Sequence, residues 1–262
     1  MITKEATLLL YKTLQQNYYP ENYLDELLQY AKIEQFEDEN ELSAKQESLI
    51  NHIVTLLKKD VPVEYITGIA RFYGFAFKVN SSTLIPRPFT EELVTSALQE
   101  RLRREKESAT IIDIGTGSGA IIVSLSAALK RDFPKIFKKT SFYAVDISKE
   151  ALEVAQSNAK LNKVDKNITL LNADVFEDMS LIQTFNKICI IVSNPPYIEQ
   201  KDYKNLPNSV RLYEPESALV RKQEFYDKLE MFSQQIKDSQ RSVTVILEDS
   251  RDQIPFCTVT SL

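Results

Sequence analysis

From residue 110 onward the chain alternates between two patterns, and this alternation constrains its fold more than any other feature. Short runs of β-branched and apolar residues occur at Thr110–Ile114, Ser141–Val145, Ile168–Leu171, Ile188–Val192 and Val243–Leu247. Between them lie stretches with apolar residues at helical spacing, among them about Ala120–Arg131, Lys149–Asn162 and Phe225–Lys237. Strands that alternate with helices return to one sheet by crossovers, so the sheet is parallel and carries helices on both faces. The expected fold class is α/β with a doubly wound, mostly parallel sheet. Ligands of such sheets bind outside the carboxyl ends of the strands, near the switch in strand order. Residues just beyond each strand are therefore the candidates for chemistry.

The leading segment reads differently. Residues 4–17, about 20–33 and about 40–59 have helix-type spacing, with stripes at Leu24, Leu27 and Leu28 and at Leu49, Ile53, Leu56 and Leu57. No strand pattern interrupts them, so residues 1–70 are expected to form a small all-helical domain with Pro62 and Gly68 at its exit. The aromatic alternation Phe72–Val79 suggests a short hairpin. Ile85-Pro86-Arg87-Pro88 is stiff and extended, because each proline fixes its own backbone and restrains its predecessor. Residues 71–90 thus form a hairpin and Pro-rich connection, and residues 91–262 the second domain. That domain opens with a helix from about Glu91 to Lys106, acids in its first turn and bases in its last, as the helix dipole favours.

Composition narrows the function. With 43% apolar and 26% charged residues the chain reads as an ordinary globular protein. No apolar stretch approaches the roughly 18 residues a membrane span requires, so no membrane partner is expected. Two cysteines and one histidine supply neither a zinc site nor a disulfide framework, and no serine–histidine triad. No metal is expected; Cys189 reads as a buried small hydrophobe, His52 as a helix-surface residue. Residues 1–70 carry 6 Lys/Arg against 12 Asp/Glu, and the remainder 26 against 25. An acidic leader is a poor platform for phosphates, so no direct nucleic-acid contact is expected. It suits a protein partner, above all a basic one; a plain solvated surface is the alternative. The start Met1-Ile2-Thr3-Lys4-Glu5 has no secretory pattern, and the first arginine is Arg71. A cytoplasmic monomer is expected, with the mitochondrial matrix as the alternative location.

Three of the five glycines fall in Asp113-Ile114-Gly115-Thr116-Gly117-Ser118-Gly119, between the first strand and a helix. Glycines there tolerate positive φ and let a ligand approach the backbone. A tight turn without ligand is one reading, a dinucleotide site another, but the dinucleotide fingerprint runs G-x-G-x-x-G around a pyrophosphate. The spacing here is G-x-G-x-G. S-adenosyl-L-methionine has no phosphate, so Gly115, Thr116, Gly117, Ser118 and Gly119 would pack on its methionine and ribose portions. Asp146, at the second strand end, can accept both ribose hydroxyls; a helix N-cap is the competing role, although Ser148 serves that equally well. Asp174, after the third strand, is placed for the adenine amino group and Val175 or Phe176 for the ring; a simple turn residue is the alternative.

The fourth strand ends in Ser193-Asn194-Pro195-Pro196-Tyr197. The two prolines make this turn rigid, so its polar groups are fixed before substrate arrives. Two fixed acceptors suit a planar nitrogen with two hydrogens: the Asn194 side-chain oxygen takes one, the Pro195 carbonyl the other. Holding both favours pyramidalisation and aims the lone pair at a sulfonium methyl, a displacement driven by positioning and electrostatics. No histidine base is needed. Pro196 and Tyr197 would wall the pocket. The turn alone resembles that of several amino-methyltransferases, which act on adenine in DNA, guanine in ribosomal RNA or glutamine in proteins, and a nucleic-acid enzyme would carry a basic groove. A non-catalytic cofactor or partner binder is a further reading.

From about residue 60 to 253 the chain resembles the peptide-chain release factor glutamine methyltransferases. The resemblance is carried by Pro62 with Tyr65-Ile66-Thr67-Gly68, Phe72-Tyr73-Gly74, Leu84–Pro88 with Thr90-Glu91, Asp113–Gly119, Val145–Ser148, Ser193–Ile198, and Glu214-Pro215 with Ala218-Leu219. It implies a Rossmann-like methyltransferase domain, a helical leader that engages the release factor, and methyl transfer to the glutamine of its Gly-Gly-Gln loop, in translation termination. It also implies that Gly115–Gly119, Asp146 and Asp174–Val175 contact the cofactor, as does Asn194, and that Asn194–Tyr197 hold the glutamine. Three departures stand out. Phe89 replaces an acid, Val220–Phe225 replaces a glycine-bearing loop, and the final antiparallel strand pair is expected to be missing or shortened. Its absence would expose the edge of Val243–Leu247, unless the tail Phe256–Leu262 covers it.

Overall fold

Isoleucine, valine and threonine dominate the strands at the centre of the chain, as a sheet covered on both faces demands. The computed structural model describes residues 2–16, 20, 22–32, 42–177, 182, 183, 185, 186, 188–251 and 254–261. Expected helix ends at 17, 33, 40 and 41 and the tail residue Leu262 lie outside them.

Among the described residues a six-stranded sheet is built from β3 (Ala109–Ile114), β4 (Thr140–Asp146), β5 (Ile168–Asn172), β6 (Ile188–Ser193), β7 (Ser242–Arg251) and β8 (Ile254–Ser261). Their spatial order is β5-β4-β3-β6-β7-β8. The pairs from β5 to β7 are parallel. The order reverses between β3 and β6, the switch point where a ligand crevice forms. Neighbouring residues face opposite ways: Ile111 and Ile190 join one core, Ile112 and Ile191 the other. The first core is closed by α5 (Glu91–Arg103) and α6 (Ala120–Asp132), the second by Leu229, Phe232 and Ile236 of α10 (Gln223–Asp238). Every residue of β3 and β6 is buried. Each such Val or Ile contributes roughly 1.5–3 kcal/mol, so these two strands hold their carboxyl ends firmly. The expected doubly wound α/β class is borne out.

The C-terminal strand pair is shortened to one strand, and the tail covers the edge. The β7 edge is not open, because β8 pairs with it antiparallel from Thr244↔Ser261 to Arg251↔Ile254. A single antiparallel strand supplies the backbone partners that the expected pair would have supplied.

The chain divides into two units, Met1–Ile69 with Pro207–Tyr213, and Ala70–Leu206 with Glu214–Leu262. In the first, α1 (Ile2–Gln16), α2 (Asn22–Tyr30), α3 (Ala44–Leu57) and α4 (Val63–Thr67) bury Leu10, Leu14, Leu27, Ile50, Ile53 and Leu57. Ser43 starts α3 with a capping box to Gln46, and His52 is exposed on that helix. Pro207–Tyr213 is tied in by the Tyr213 hydroxyl, which donates to the Lys59 carbonyl at 2.6 Å. In the second unit, β1 (Ile69–Phe72) and β2 (Phe75–Lys78) form the hairpin around Tyr73-Gly74, both at positive φ. The Tyr73 N–H donates to Glu91 at 2.7 Å, which fastens the hairpin turn to the start of α5. No described helix is long and apolar enough to cross a membrane.

Candidate active site

A cavity of about 380 Å³ lies at the carboxyl ends of β3, β4, β5 and β6, a size typical of small-molecule sites. Its floor is the turn after β3. The N–H groups of Gly115 and Thr116 donate to the Val145 carbonyl at 2.9 and 3.0 Å, so the turn is pinned to the end of β4. Thr116 donates its hydroxyl to the buried Asp113 at 2.7 Å. Burial pushes the Asp113 carboxyl up to about 7, against the Thr116 and Ile122 hydrogen bonds, and the nearby Asp146 charge adds to the rise.

Gly117 has φ +55, and a Cβ built there would meet open space. Gly115, Thr116, Gly117 and Ser118 line the cavity; Gly119 does not. Gly119 instead serves helix packing. A Cβ on it would lie 3.1 Å from the Ala155 Cβ, so the missing side chain lets α6 approach α8 (Lys149–Leu161). The glycine at this position thus has a packing role in the fold. The buried Asn158 of α8 braces the turn from behind: its amide donates to the Ser118 carbonyl at 2.8 Å and to the Lys78 carbonyl at 2.9 Å.

Asp146 ends β4. Its Oδ2 accepts the Gly117 N–H at 2.8 Å and its Oδ1 the Ser148 N–H at 2.9 Å. The N-cap of α8 is Ser148, whose side chain accepts from the Ala151 N–H. Asp146 is therefore free of capping, and each oxygen keeps acceptor capacity beside the cavity. Asp174 also lines the cavity; its Oδ1 accepts the Phe176 N–H at 3.0 Å. Lys228 of α10 stands 3.5 Å from Asp174 and 2.9 Å from Glu224. Those acids, Glu224 foremost, hold its pKa up. Val175 is buried, Phe176 half-buried, and both line the cavity with the largely exposed Ile147.

Ser193, Asn194, Pro195 and Pro196 line the opposite wall. The Ser193 hydroxyl donates to the Ile114 carbonyl at 2.7 Å, which locks the end of β6 to the end of β3. Asn194 Nδ2 donates to Thr90 Oγ1 at 3.1 Å. Tyr197 does not line the cavity. It sits half-buried, its pKa raised by burial first and then by Glu248 and Glu214, with Arg87 opposing. The stiff segment at Arg87 is extended and also borders the cavity. Its guanidinium pairs with the buried Glu214, which accepts the Ile85 N–H as well, at 3.1 Å.

Sequence reasoning missed Thr90, Lys228 and Glu248 as site residues. Glu248 had a legible signal: an acid directly after an apolar strand run, the same logic that singles out Asp146. Thr90 stood in the linker segment that carries the resemblance but with no role attached to it, and Lys228 had no signal, since its side chain reaches the site from a helix distant in sequence. Among the described residues no cluster of metal-ligating side chains is present.

A strand-end cavity floored by a glycine turn and walled by an Asn-Pro-Pro turn is the arrangement of a class of transferases, and the chain belongs to the methyltransferase domain family, whose model matches residues 105–251. Its relatives include release factor glutamine methyltransferases. That of Rhodopirellula baltica is 39% identical over 67% of this chain and 56% of its own length, and that of Bacillus subtilis 44% over 64% and 54%. That of Bacillus anthracis is 36% identical over 75% and 65%. The expected resemblance is borne out, although the chain spans only about half to two thirds of these relatives. The N-terminal domain of human METTL16 in complex with SAH shares the fold, with a TM-score of 0.50 and 17% identity over 92% of each chain.

Proposed function

We propose that this chain binds S-adenosyl-L-methionine in the cavity and methylates the side-chain amide nitrogen of a glutamine, that of the Gly-Gly-Gln loop of a peptide-chain release factor. The observation that carries the reading is that Asn194, tethered to Thr90, opens into the same cavity as Gly115–Ser118 and Asp146.

The residues fit the cofactor. Gly115 and Gly117 leave open the space that a Cβ would fill, room for the methionine portion. Asp146, already held by two backbone N–H groups, keeps lone pairs for two ribose hydroxyls. Asp174 offers an acceptor to an exocyclic amine, and Val175, Phe176 and Ile147 offer apolar cover to a flat ring. The cofactor, when bound, supplies an electrophilic methyl on a sulfonium. Asn194 and the Pro195 carbonyl then take the two amide hydrogens and turn the nitrogen lone pair toward that methyl. With the cofactor bound, its sulfonium would give up the methyl to this nitrogen and leave as the neutral thioether, and the amide proton released would pass to solvent. The rigid turn adds little reorganisation cost during the transfer.

The helical segment 1–70, with twice as many acids as bases, serves in this reading as the docking platform for a basic protein. Such a substrate is met where translation terminates, in the cytoplasm or the mitochondrial matrix. Mass analysis of a bacterial release factor incubated with this protein and S-adenosyl-L-methionine tests the proposal. A gain of one methyl confined to the Gly-Gly-Gln peptide is expected; a folded, cofactor-binding sample that leaves the peptide unmodified sinks it.

A further inference from the structure

Glu248 follows Leu247, the β7 partner of Ser193, and so stands beside Asn194 across the sheet. It is 1% exposed, and neither carboxylate oxygen has a hydrogen bond of regular geometry. Buried acceptors without partners are rare. The donors near it are the side chains of Thr90 and Asn194, close enough to lower its pKa, although burial is the larger influence and leaves it raised. Thr90 is itself buried, and its Oγ1 accepts the Asn194 Nδ2–H. A hydroxyl that accepts from Asn194 still has its own proton to donate, and the acceptor at hand is Glu248.

An ionised carboxylate only accepts, whereas a side-chain amide turned by 180° exchanges its donor and acceptor ends. We infer that Glu248 is a positioning residue: directly and through the Thr90 hydroxyl it draws the Asn194 Nδ2–H groups to its side, and so presents Asn194 Oδ1 to the cavity as an acceptor. The inference rests on the proposed reading that Asn194 receives an amide hydrogen. Without a terminal acceptor, Thr90 can donate to Asn194 instead, and the flipped amide would offer N–H groups to a substrate nitrogen that also carries hydrogens. The charges around Glu248 are Arg87, which favours its ionised form, and Glu92, which opposes it. Tyr197 and Cys257 also face it, each with a pKa raised in part by its charge. Since burial leaves Glu248 above the ordinary carboxylate range, the relay weakens as pH falls and is fully set only above that raised value.

The test combines ¹⁵N NMR of the whole protein with methyl transfer to a bacterial release factor. The Asn194 side-chain amide resonance, assigned with Asn194→Asp, is expected to titrate with Glu248 in the wild type and to lose that titration in Glu248→Gln. In Glu248→Gln and in Thr90→Val, kcat should fall roughly tenfold to a hundredfold, with S-adenosylhomocysteine affinity within about twofold by calorimetry, as cofactor-side groups are untouched. Glu248→Asp and Thr90→Ser should restore part of the rate, and Glu248→Asp should keep an acidic limb in the pH profile. Wild-type Asn194 that does not titrate, or a folded Glu248→Gln with unchanged kcat, overturns the relay. The titration needs no substrate, so a wild type that titrates but leaves the release factor unmethylated overturns the function and spares the relay.

Discussion

Asp146 accepts the backbone N–H of Gly117 at 2.8 Å, a bond that joins the end of β4 to the crown of the turn after β3. The same carboxylate takes the Ser148 N–H. One side chain thus holds the glycine turn, the entry to α8 and the cavity rim in a single arrangement, with its remaining lone pairs exposed to whatever enters.

Replacing Asp146 therefore removes a brace and, in the proposed reading, a ribose contact. Hydrogen bonds to a charged acceptor are worth about 1.5–3 kcal/mol each. Asp146→Ala is expected to weaken S-adenosylhomocysteine binding by roughly two orders of magnitude. Isothermal calorimetry measures it, and an affinity within threefold of wild type would count against the role.

Asn194→Ala should do the opposite. It removes the acceptor proposed to hold the substrate amide while Gly115, Gly117 and Asp146 stay in place, so the transfer rate should fall by about 10²–10³-fold with most of the cofactor affinity retained. Equal losses of cofactor affinity in Asn194→Ala and Asp146→Ala would contradict the division of labour.

Stability should carry a pH signature from Asp113. Its carboxyl has an ordinary value of 3.8 and is pushed up to about 7 in the fold. Folding therefore takes up a proton, so the group's contribution is complete below the unfolded value and is lost as pH rises through 7. One pKa unit corresponds to about 1.4 kcal/mol, so the change amounts to at most about 4 kcal/mol. Asp113→Asn cannot titrate. The difference in unfolding free energy between wild type and this variant should move against the wild type from pH 4 to pH 8. A difference that is constant across this range refutes the assignment.

Gly119→Ala should destabilise the fold without touching the cavity. The residue sits at φ +79, and the added methyl would meet Ala155 at 3.1 Å. The left-handed backbone costs about 1 kcal/mol and the overpacking about 1–3 kcal/mol more. Thermal melts should show a clear drop in Tm, while the fraction that remains folded binds S-adenosylhomocysteine with near-wild-type affinity.

The strands were legible because parallel central strands must be apolar on both faces; β3 and β6 read as continuous apolar runs for that reason. Asp146 and Asn194 were legible because strand ends in such sheets converge on one crevice. Gly119 was read with its neighbours as a ligand contact, since a one-dimensional motif does not say which glycine faces a cavity and which faces a helix. β8 was underestimated: its pairing partner lies in β7, and a tail of mixed polarity declares itself a strand only once an open edge is beside it. The return of Pro207–Tyr213 to the first unit had no local signal at all.

What the amino-acid order settled by itself was the alternating α/β class, the glycine turn and the stiff Asn-Pro-Pro segment, all consequences of local periodicity and of proline and glycine backbone limits. Tertiary structure alone decided that Thr90 and Glu248 stand behind Asn194, that Lys228 stands beside Asp174, and that Tyr197 is not part of the cavity lining. Those placements depend on contacts between segments up to 158 residues apart in numbering, such as 90 and 248, and no local propensity encodes them. They arise when the packed sheet brings strand ends and helix starts to one rim, and burial then selects which polar groups meet.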